Sequence, residues 1–191
     1  ALALQKPQVS YADAAQSRPS QPQKALGGDL IEAIQDGDAA LARQLISAGA
    51  DVNRIRLGDG SPLILAARSG DAATAELLLK AGADVNRAVR GDGNPLIAAA
   101  YAGRLDLVEM FVKAGADVNA YVPSDETPLI AAARENRLDV ARYLIAAGAD
   151  VDLEVNAPTL TGTERRSPMI MAWRGGHTEM IRLLREHGAR T

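Results

Sequence analysis

The chain has 191 residues, no cysteine and a formal net charge of −3 at pH 7. Nucleic acids and anionic membranes bind to basic faces, so the acidic balance argues against both, and no apolar run approaches the ~18–20 residues that span a bilayer. A sequence without cysteine excludes disulfides, thiolate metal sites and a cysteine nucleophile, and it leaves the compartment open.

Residues 1–28 differ in composition from the rest of the chain. They are rich in Gln, Pro and Ser and show no apolar period, which is typical of a linker or tail. Because the sequence begins with Ala, we expect a processed or excised piece of a longer protein. We expect residues 29–191 to form the folded domain.

The folded part repeats. The string AGADVN, or AGADVD in its last copy, begins at residues 48, 81, 114 and 147, which are 33 residues apart. A second motif, Ser/Asn/Thr-Pro-Leu/Met, begins at residues 61, 94, 127 and 167, so its last interval is 40 residues. Self-similarity at a fixed period indicates a solenoid of stacked helical units.

Each unit carries the signals of two helices. A prolyl residue suits the first helical position, where its missing N–H would be unpaired, and the residues before it are N-cap types: Ser61, Asn94, Thr127 and Ser167. The first helix is short and rich in Ala, and it ends where a left-handed residue is needed: Gly70, Gly103, Asn136 and Gly176. The second helix has an i, i+3, i+4 apolar stripe.

These motifs resemble ankyrin repeats, whose length is 33 residues. The resemblance implies an all-α repeat solenoid, an ankyrin stack of helix-turn-helix units joined by β-hairpin-like fingers. It implies a partner-binding concave face made of fingers and first helices. We assign five repeats, the fourth with a longer last loop: 29–60, 61–93, 94–126, 127–166 and 167–191.

The sequence departs from the family pattern at two places in each unit. Where the family has a His after Thr-Pro-Leu, this chain has Ile64, Ile97, Ile130 and Ile170, which we expect to pack between repeats. The finger turns carry aspartates, and we expect Asp59 to bond to nearby backbone N–H groups. The apolar finger residues have two interpretations, packing of finger against finger or a partner-binding strip: Ile55, Leu57, Val89, Tyr121, Val122, Leu153 and Val155.

The last connection, residues 154–166, is seven residues longer than the others. We expect a surface loop, which either contributes to the binding face or is a tolerated extension. Trp173 lies in the first helix of the last repeat. It is interpreted either as a cap over the open end of the core or as an aromatic anchor for a partner.

Catalytic motifs are missing from the sequence. The spacing of His177 and His187 fits no metal motif, and the GDG turn at 58–60 lacks the preceding strand and the following Lys-Ser/Thr of a phosphate loop. An enzyme would have to use the polar cluster in the long loop: Glu154, Glu164, Arg165 and Arg166. We predict no catalytic, cofactor-binding or metal-binding residues, and a chain that is not an enzyme.

The resemblance implies a protein-protein interaction module with a protein or peptide partner of unknown identity. The oligomeric state is left open, with a monomer favoured. The family's exposed concave-face positions map onto a mixed strip with two tyrosines and several arginines, a composition typical of interfaces. The predicted partner-binding residues are Leu57, Arg68, Arg90, Tyr101, Tyr121, Pro123, Glu126, Arg134, Glu135 and Arg174.

A narrower resemblance rests on GDG(S/N)PLI, on ETPLI, and on a long last loop that closes in RRSPM. It is similar to ankyrin modules appended to bacterial membrane-embedded zinc metallopeptidases of the antibiotic-sensor type. That resemblance implies an envelope-facing regulatory or sensor module exposed to the periplasm, with the cytoplasm as the alternative compartment. No HExxH motif occurs in the sequence, so peptidase activity is not carried over.

Overall fold

A computed structural model describes residues 29–122, 126–159 and 162–190. The predicted tail, residues 1–28, lies outside the described residues. An antiparallel strand pair, β1 (Val155–Thr159) and β2 (Gly162–Arg166), lies between the eighth and ninth of the helices in the described part. Those helices are α1 (29–35), α2 (Ala39–Ser47), α3 (Pro62–Ser69), α4 (Ala72–Lys80), α5 (Pro95–Ala102), α6 (Leu105–Lys113), α7 (Pro128–Arg134), α8 (Leu138–Ala146), α9 (Pro168–Arg174) and α10 (Thr178–Glu186).

The helices form two layers, which confirms the predicted repeat stack. The first helices α3, α5, α7 and α9 pack side by side in one row, and the second helices α2, α4, α6, α8 and α10 form a looser row behind them. The first helices approach closely because their contacting side chains are small. Alanines fully buried in this row include Ala66, Ala67, Ala99, Ala100, Ala132 and Ala133.

The predicted helix starts and stops are confirmed. The side chain of Ser61 accepts a hydrogen bond from the Ile64 N–H at 3.3 Å, and Asn94 accepts one from the Ile97 N–H at 2.8 Å. Each cap satisfies an N–H that the helix leaves unpaired. At the end of α7, Asn136 adopts the left-handed conformation with φ 54°, which Asn tolerates better than other non-Gly residues.

Neighbouring repeats are joined by side-chain amides, which we call the amide ladder: Asn53, Asn86 and Asn119. The Nδ2 group of Asn86 donates to the Gly115 carbonyl at 3.0 Å, while its Oδ1 accepts from the Asp117 N–H at 2.9 Å. The other two amides make the same pair of bonds one repeat before and one repeat after. Each amide therefore occupies both its donor and its acceptor on the backbone of the next repeat.

The ladder changes at its last position, where Asp152 replaces Asn. A carboxylate accepts but does not donate. Asp152 accepts from the Arg190 N–H at 2.7 Å and forms an ion pair with the Arg190 guanidinium at 3.2 Å. The last repeat interface therefore keeps the accepting half of the ladder and replaces the donating half by a charge pair.

The isoleucines that replace the family's His are buried as predicted in three of four repeats: Ile64, Ile97 and Ile130. The fourth is a correction, because Ile170 is half-buried. It lies in the terminal repeat, which has no following repeat in the described residues to cover it.

We expect Asn86→Ala to destabilise the stack by about 1–3 kcal/mol, since it removes two inter-repeat hydrogen bonds of ~0.5–1.5 kcal/mol each. Urea unfolding followed by circular dichroism measures this change. The exposed neighbour Arg87 is the control, and Arg87→Ala should stay within ~0.5 kcal/mol of the wild type. Equal effects of the two substitutions would contradict the role of the ladder.

Candidate functional site

The first two connections between repeats form hairpin-like fingers, as predicted. In the first finger the Arg56 N–H donates to the Gly60 carbonyl at 3.0 Å, and the Gly60 N–H donates back to the Arg56 carbonyl at 2.9 Å. A Cβ on Gly60 would lie 3.0 Å from Cγ2 of Ile64, and φ there is 86°. Glycine is required at this turn by both the backbone conformation and the space.

The finger aspartates bind side chains at the end of the first helix of their own repeat, which corrects the expectation for Asp59. Its carboxylate accepts from Nε2 of Gln35 at 2.8 Å and pairs with Nε of Arg56 at 3.1 Å, instead of bonding to nearby backbone N–H groups. In the second finger, Asp92 pairs with Arg68 at 2.9 Å. The reason is that the end of each first helix lies beside the tip of the following finger.

The apolar finger residues divide by alternation into buried positions, which pack in the core, and exposed positions, for which the partner-binding interpretation stays a prediction. Val89, Val122 and Val155, which share one repeat position, are buried and pack inward. The positions on either side face outward: Leu57 is 91% exposed and Tyr121 is 45% exposed. This is the two-residue period of an extended segment.

A groove of 440 Å³ lies between the fingers and the first helices. We call it the finger–helix groove. Its walls come from the turn of the second finger, from α5 and α7, from β2 and from the start of the fourth repeat's second helix. The lining residues are Arg68, Gly91, Asp92, Gly93, Ile97, Ala98, Tyr101, Ala102, Glu126, Ala131, Arg134, Arg137 and Arg166.

Some of the predicted partner-binding residues lie together in the finger–helix groove. Four predicted residues line it: Arg68, Tyr101, Glu126 and Arg134. Tyr101 is 50% exposed, so half of its side chain faces solvent. Pro123 lies outside the described residues. The other predicted residues do not line the groove: Leu57, Arg90, Tyr121, Glu135 and Arg174.

The exposure expected for Glu126 is wrong. Glu126 is 4% exposed, and its carboxylate pairs with Arg166 at 3.0 Å and with Arg134. Glu126 and Arg166 each directly precede an N-cap residue, the position that Gly60 and Gly93 hold in earlier repeats. Equivalent positions of adjacent repeats face each other in the stack, so these opposite charges meet.

The pairs continue into an alternating series that we call the charge chain: Arg134, Glu126, Arg166, Glu164 and Arg174. Hydrogen bonds that Arg166 and, to a smaller extent, Arg174 donate to Glu164 hold the pKa of its carboxyl below the ordinary value. Burial, and next the nearby charge of Arg166, lower the pKa of Arg134. Two guanidinium groups thus share one buried carboxylate at the groove wall.

The long connection, predicted as a surface loop, contains a β-hairpin. Val155 is opposite Arg166, and Ala157 is opposite Glu164. The strand period puts Val155 inward, where it packs with Ile130 and Met171. The hairpin is therefore part of the fold, and through Arg166 it forms one wall of the groove.

The histidines and the tryptophan make structural contacts. Nε2 of His177 lies 2.9 Å from the Arg134 carbonyl, and Nδ1 of His187 lies 2.9 Å from the Leu183 carbonyl. Trp173 is 57% exposed, with the Arg185 guanidinium 6.0 Å from its ring centroid, so any capping of the core is partial. Across the described ranges, no three His, Asp or Glu side chains converge as metal ligands.

Comparison with known families decides the identity of the fold. Residues 30–122 and 91–155 match a family described as "Ankyrin repeats (3 copies)", and residues 129–185 match "Ankyrin repeats (many copies)". The chain belongs to the ankyrin repeat family. Ankyrin repeats are generally non-catalytic protein-protein interaction modules. No curated protein matched the chain, so nothing supports the narrower resemblance to metallopeptidase-associated ankyrin modules, and it stays a prediction.

Sequence reasoning missed two groove residues. Arg137 donates from Nε to the Tyr101 carbonyl at 3.2 Å, which places it at the rim. It shares its repeat position with Arg104 and His177, and that periodicity was the available signal. Arg166 was assigned to the long loop, although its place before Ser167 puts it in register with Glu126.

In the described ranges no helix is long and apolar enough to cross a bilayer.

Replacement of Glu126 should destabilise the ankyrin stack because it leaves Arg134 and Arg166 in the groove wall without their shared carboxylate. For Glu126→Ala we expect a loss of about 2–3 kcal/mol, less than a fully buried pair loses, because both arginines are partly solvated. The control is Glu109→Ala, which removes an exposed pair with Lys113 and should cost at most ~0.5 kcal/mol. Urea denaturation of both variants checks the difference, and a similar loss in both would refute the shared-carboxylate arrangement.

Glu164 should contribute to the acid sensitivity of the fold. Its pKa is lower in the folded chain than the ordinary value of 4.5, so its stabilising contribution is present above that value and is lost as pH falls through the lowered folded pKa. The free energy of unfolding, measured in urea, should therefore fall less between about pH 7 and about pH 3 in Glu164→Gln than in the wild type. Parallel pH dependences in the two proteins would show that Glu164 is not responsible.

Proposed function

We propose that this ankyrin domain is a non-enzymatic module that binds a protein or peptide on the face formed by the fingers and the first helices. The observation that carries the proposal is the placement of exposed apolar side chains. Among the described residues, six large hydrophobic side chains are exposed: Leu41, Ile55, Leu57, Tyr101, Tyr121 and Trp173. Three are on fingers and Tyr101 is beside them at the groove.

Such clustering favours an interface. Exposed apolar patches on soluble chains commonly mark interaction sites, and tyrosine and arginine are enriched among the residues that contribute most binding energy. Tyr101, Arg68 and Arg134 supply this chemistry around the groove. Of the predicted residues, Glu126 is withdrawn as a direct contact because it is buried in the charge chain.

The face is also held in place before any partner arrives. Arg68 links the second finger to α3 through Asp92 at 2.9 Å. The amide ladder fixes the interval between successive fingers. A surface that is already ordered loses little conformational entropy on binding.

The proposal has no catalytic part. The four residues that an enzyme would have used are engaged in ion pairs: Glu154 with Arg165, and Glu164 with Arg166. The proposal requires no cofactor or metal, and it treats the domain, residues 29–191 with five repeats, as a monomer.

The narrower resemblance carries a second proposal, in which the module senses or regulates within a larger membrane metallopeptidase and faces the periplasm. The hairpin between Val155 and Arg166, which closes in the RRSPM motif, is the feature that favours it. The sequence upstream of Ala1 in the native gene tests this proposal. An upstream HExxH-containing membrane domain would support it, and a gene that encodes a secretion signal followed by this chain would exclude it.

The triple variant Leu57→Ala, Tyr101→Ala, Tyr121→Ala tests the main proposal. Partners captured from the source cells are purified, and their affinity for each variant is measured by titration calorimetry. We expect at least about 30-fold weaker binding, which corresponds to the loss of one hot spot of ~2 kcal/mol.

The matched control places three substitutions on exposed second-helix positions: Leu41→Ala, Glu76→Ala and Arg142→Ala. It should bind the same partner with unchanged affinity. Unfolding midpoints are measured for both variants, so that a loss of binding is not confused with a loss of fold. The finger-side interface is wrong if the control loses affinity and the finger variant keeps it.

A further inference from the structure

The finger–helix groove has more positive than negative charge. Its lining contains four guanidinium groups, from Arg68, Arg134, Arg137 and Arg166, and two carboxylates, from Asp92 and Glu126, which leaves two formal positive charges in excess. The whole chain has a net charge of −3. The groove is therefore a local cationic site on an acidic protein.

The ion pairs show where this excess lies. Arg68 is matched by Asp92 at 2.9 Å. Arg134 and Arg166 share Glu126, although Glu164 also contacts Arg166 from outside the groove at 2.8 Å.

Arg137 completes the set. Its Nε group is bonded to the carbonyl of Tyr101, and no carboxylate of residues 29–122, 126–159 and 162–190 forms an ion pair with it. The excess charge is thus centred on Arg134 and Arg137.

The surroundings make an added anion favourable. The Arg134 side chain is only about one-third exposed, and burial first, then the charge of Arg166, lower its pKa. Charge pairs at partly buried sites attract more strongly than in bulk water. Guanidinium groups match carboxylates especially well because they present paired N–H donors.

We propose that the finger–helix groove binds the acidic side chain of an extended peptide segment, with the carboxylate of an Asp or Glu placed between Arg134 and Arg137. The inference rests on the proposed protein-binding function and names the chemistry of its partner. Ile97 and Tyr101 supply an apolar wall for the residue next to the acidic one. The binding segment is therefore an acidic residue with an apolar neighbour.

The position of the exposed finger residues favours a side chain within the segment over a chain terminus. Leu57 is on the first finger, outside the groove, and Tyr121 is on the third finger, between the second finger and the hairpin that bound the groove. A partner that contacts Leu57, the groove and Tyr121 extends along the stack, which takes more than a terminal residue. A polyanion fits less well, because phosphates that extend beyond the groove would meet the net acidic surface of the chain.

The test is a selection of displayed random 12-residue peptides on the full chain. The enriched sequences are synthesised with an amidated C-terminus, and their affinities are measured by fluorescence anisotropy. We expect enrichment of Asp or Glu beside an apolar residue, and at least about 10-fold weaker binding when that acid is changed to its amide, as for loss of a charge-assisted hydrogen bond.

Two variants of one residue separate charge from shape. Arg137→Gln should weaken binding of the selected peptides at least about 10-fold, whereas Arg137→Lys, which keeps the charge but not the paired N–H donors, should weaken it less. Circular dichroism and the unfolding midpoint confirm that both variants fold. Equal affinity of the Gln variant and the wild type would overturn the proposal.

The remaining outcomes are also decisive. A requirement for a free C-terminal carboxylate, tighter binding of a dT12 oligonucleotide than of the acidic peptides, or the absence of enriched peptides would each overturn the acidic side-chain proposal. If binding of the selected peptides depends on Leu57, Tyr101 and Tyr121 but not on an acidic residue in the peptide, the inference is overturned and the protein-binding function still stands. Partner binding that is unaffected by the triple finger variant would instead overturn the function.

Discussion

The amide ladder sets the geometry on which the other features of this ankyrin stack depend. Hydrophobic burial between first helices is strong but non-directional, and small alanine faces could pack at several offsets. Asn86 removes that freedom because its amide must meet the Gly115 carbonyl and the Asp117 N–H together. Repetition of the same pair of bonds gives each repeat the same displacement from the last. Charged side chains on neighbouring elements therefore meet at fixed positions, as Arg68 of α3 meets Asp92 of the second finger.

The last repeat interface is held by different chemistry. At Asp152 the donating half of the ladder is lost, and three other contacts occur at the same interface: the pair of Glu164 with Arg174, the inward face of the β-hairpin, and the bond between His177 and the Arg134 carbonyl. The amides of the inner ladder are neutral, so the bonds that they make do not titrate. At the last interface Glu164 pairs with Arg174, and its stabilising contribution is lost as pH falls through its lowered pKa. The amide ladder and the charge chain therefore respond differently to acid.

Local features of the sequence predicted the fold because they act within a few residues. The caps at Ser61 and Asn94, the prolines after them and the left-handed Asn136 each satisfy constraints of their own helix. The candidate site was harder, since its chemistry joins residues that are distant in the sequence. Asp59 looked like a turn residue until Gln35 was placed beside it, and Glu126 looked exposed until Arg166 faced it. Opposite charges at equivalent positions of neighbouring repeats were a visible but unused signal.

The binding groove lies where these two kinds of interface meet. Its finger wall, with Asp92, is fixed by the neutral ladder, and its far wall is Arg166 of the charge-held hairpin. Glu126 therefore has two roles that oppose each other: it stabilises the wall by neutralising guanidinium charge, and it lowers the charge left for a ligand. In the structure, Arg134 and Arg166 share the single carboxylate of Glu126, so their charge is only partly neutralised. The wall is stable without a partner, and the groove keeps enough positive charge to favour an acidic one.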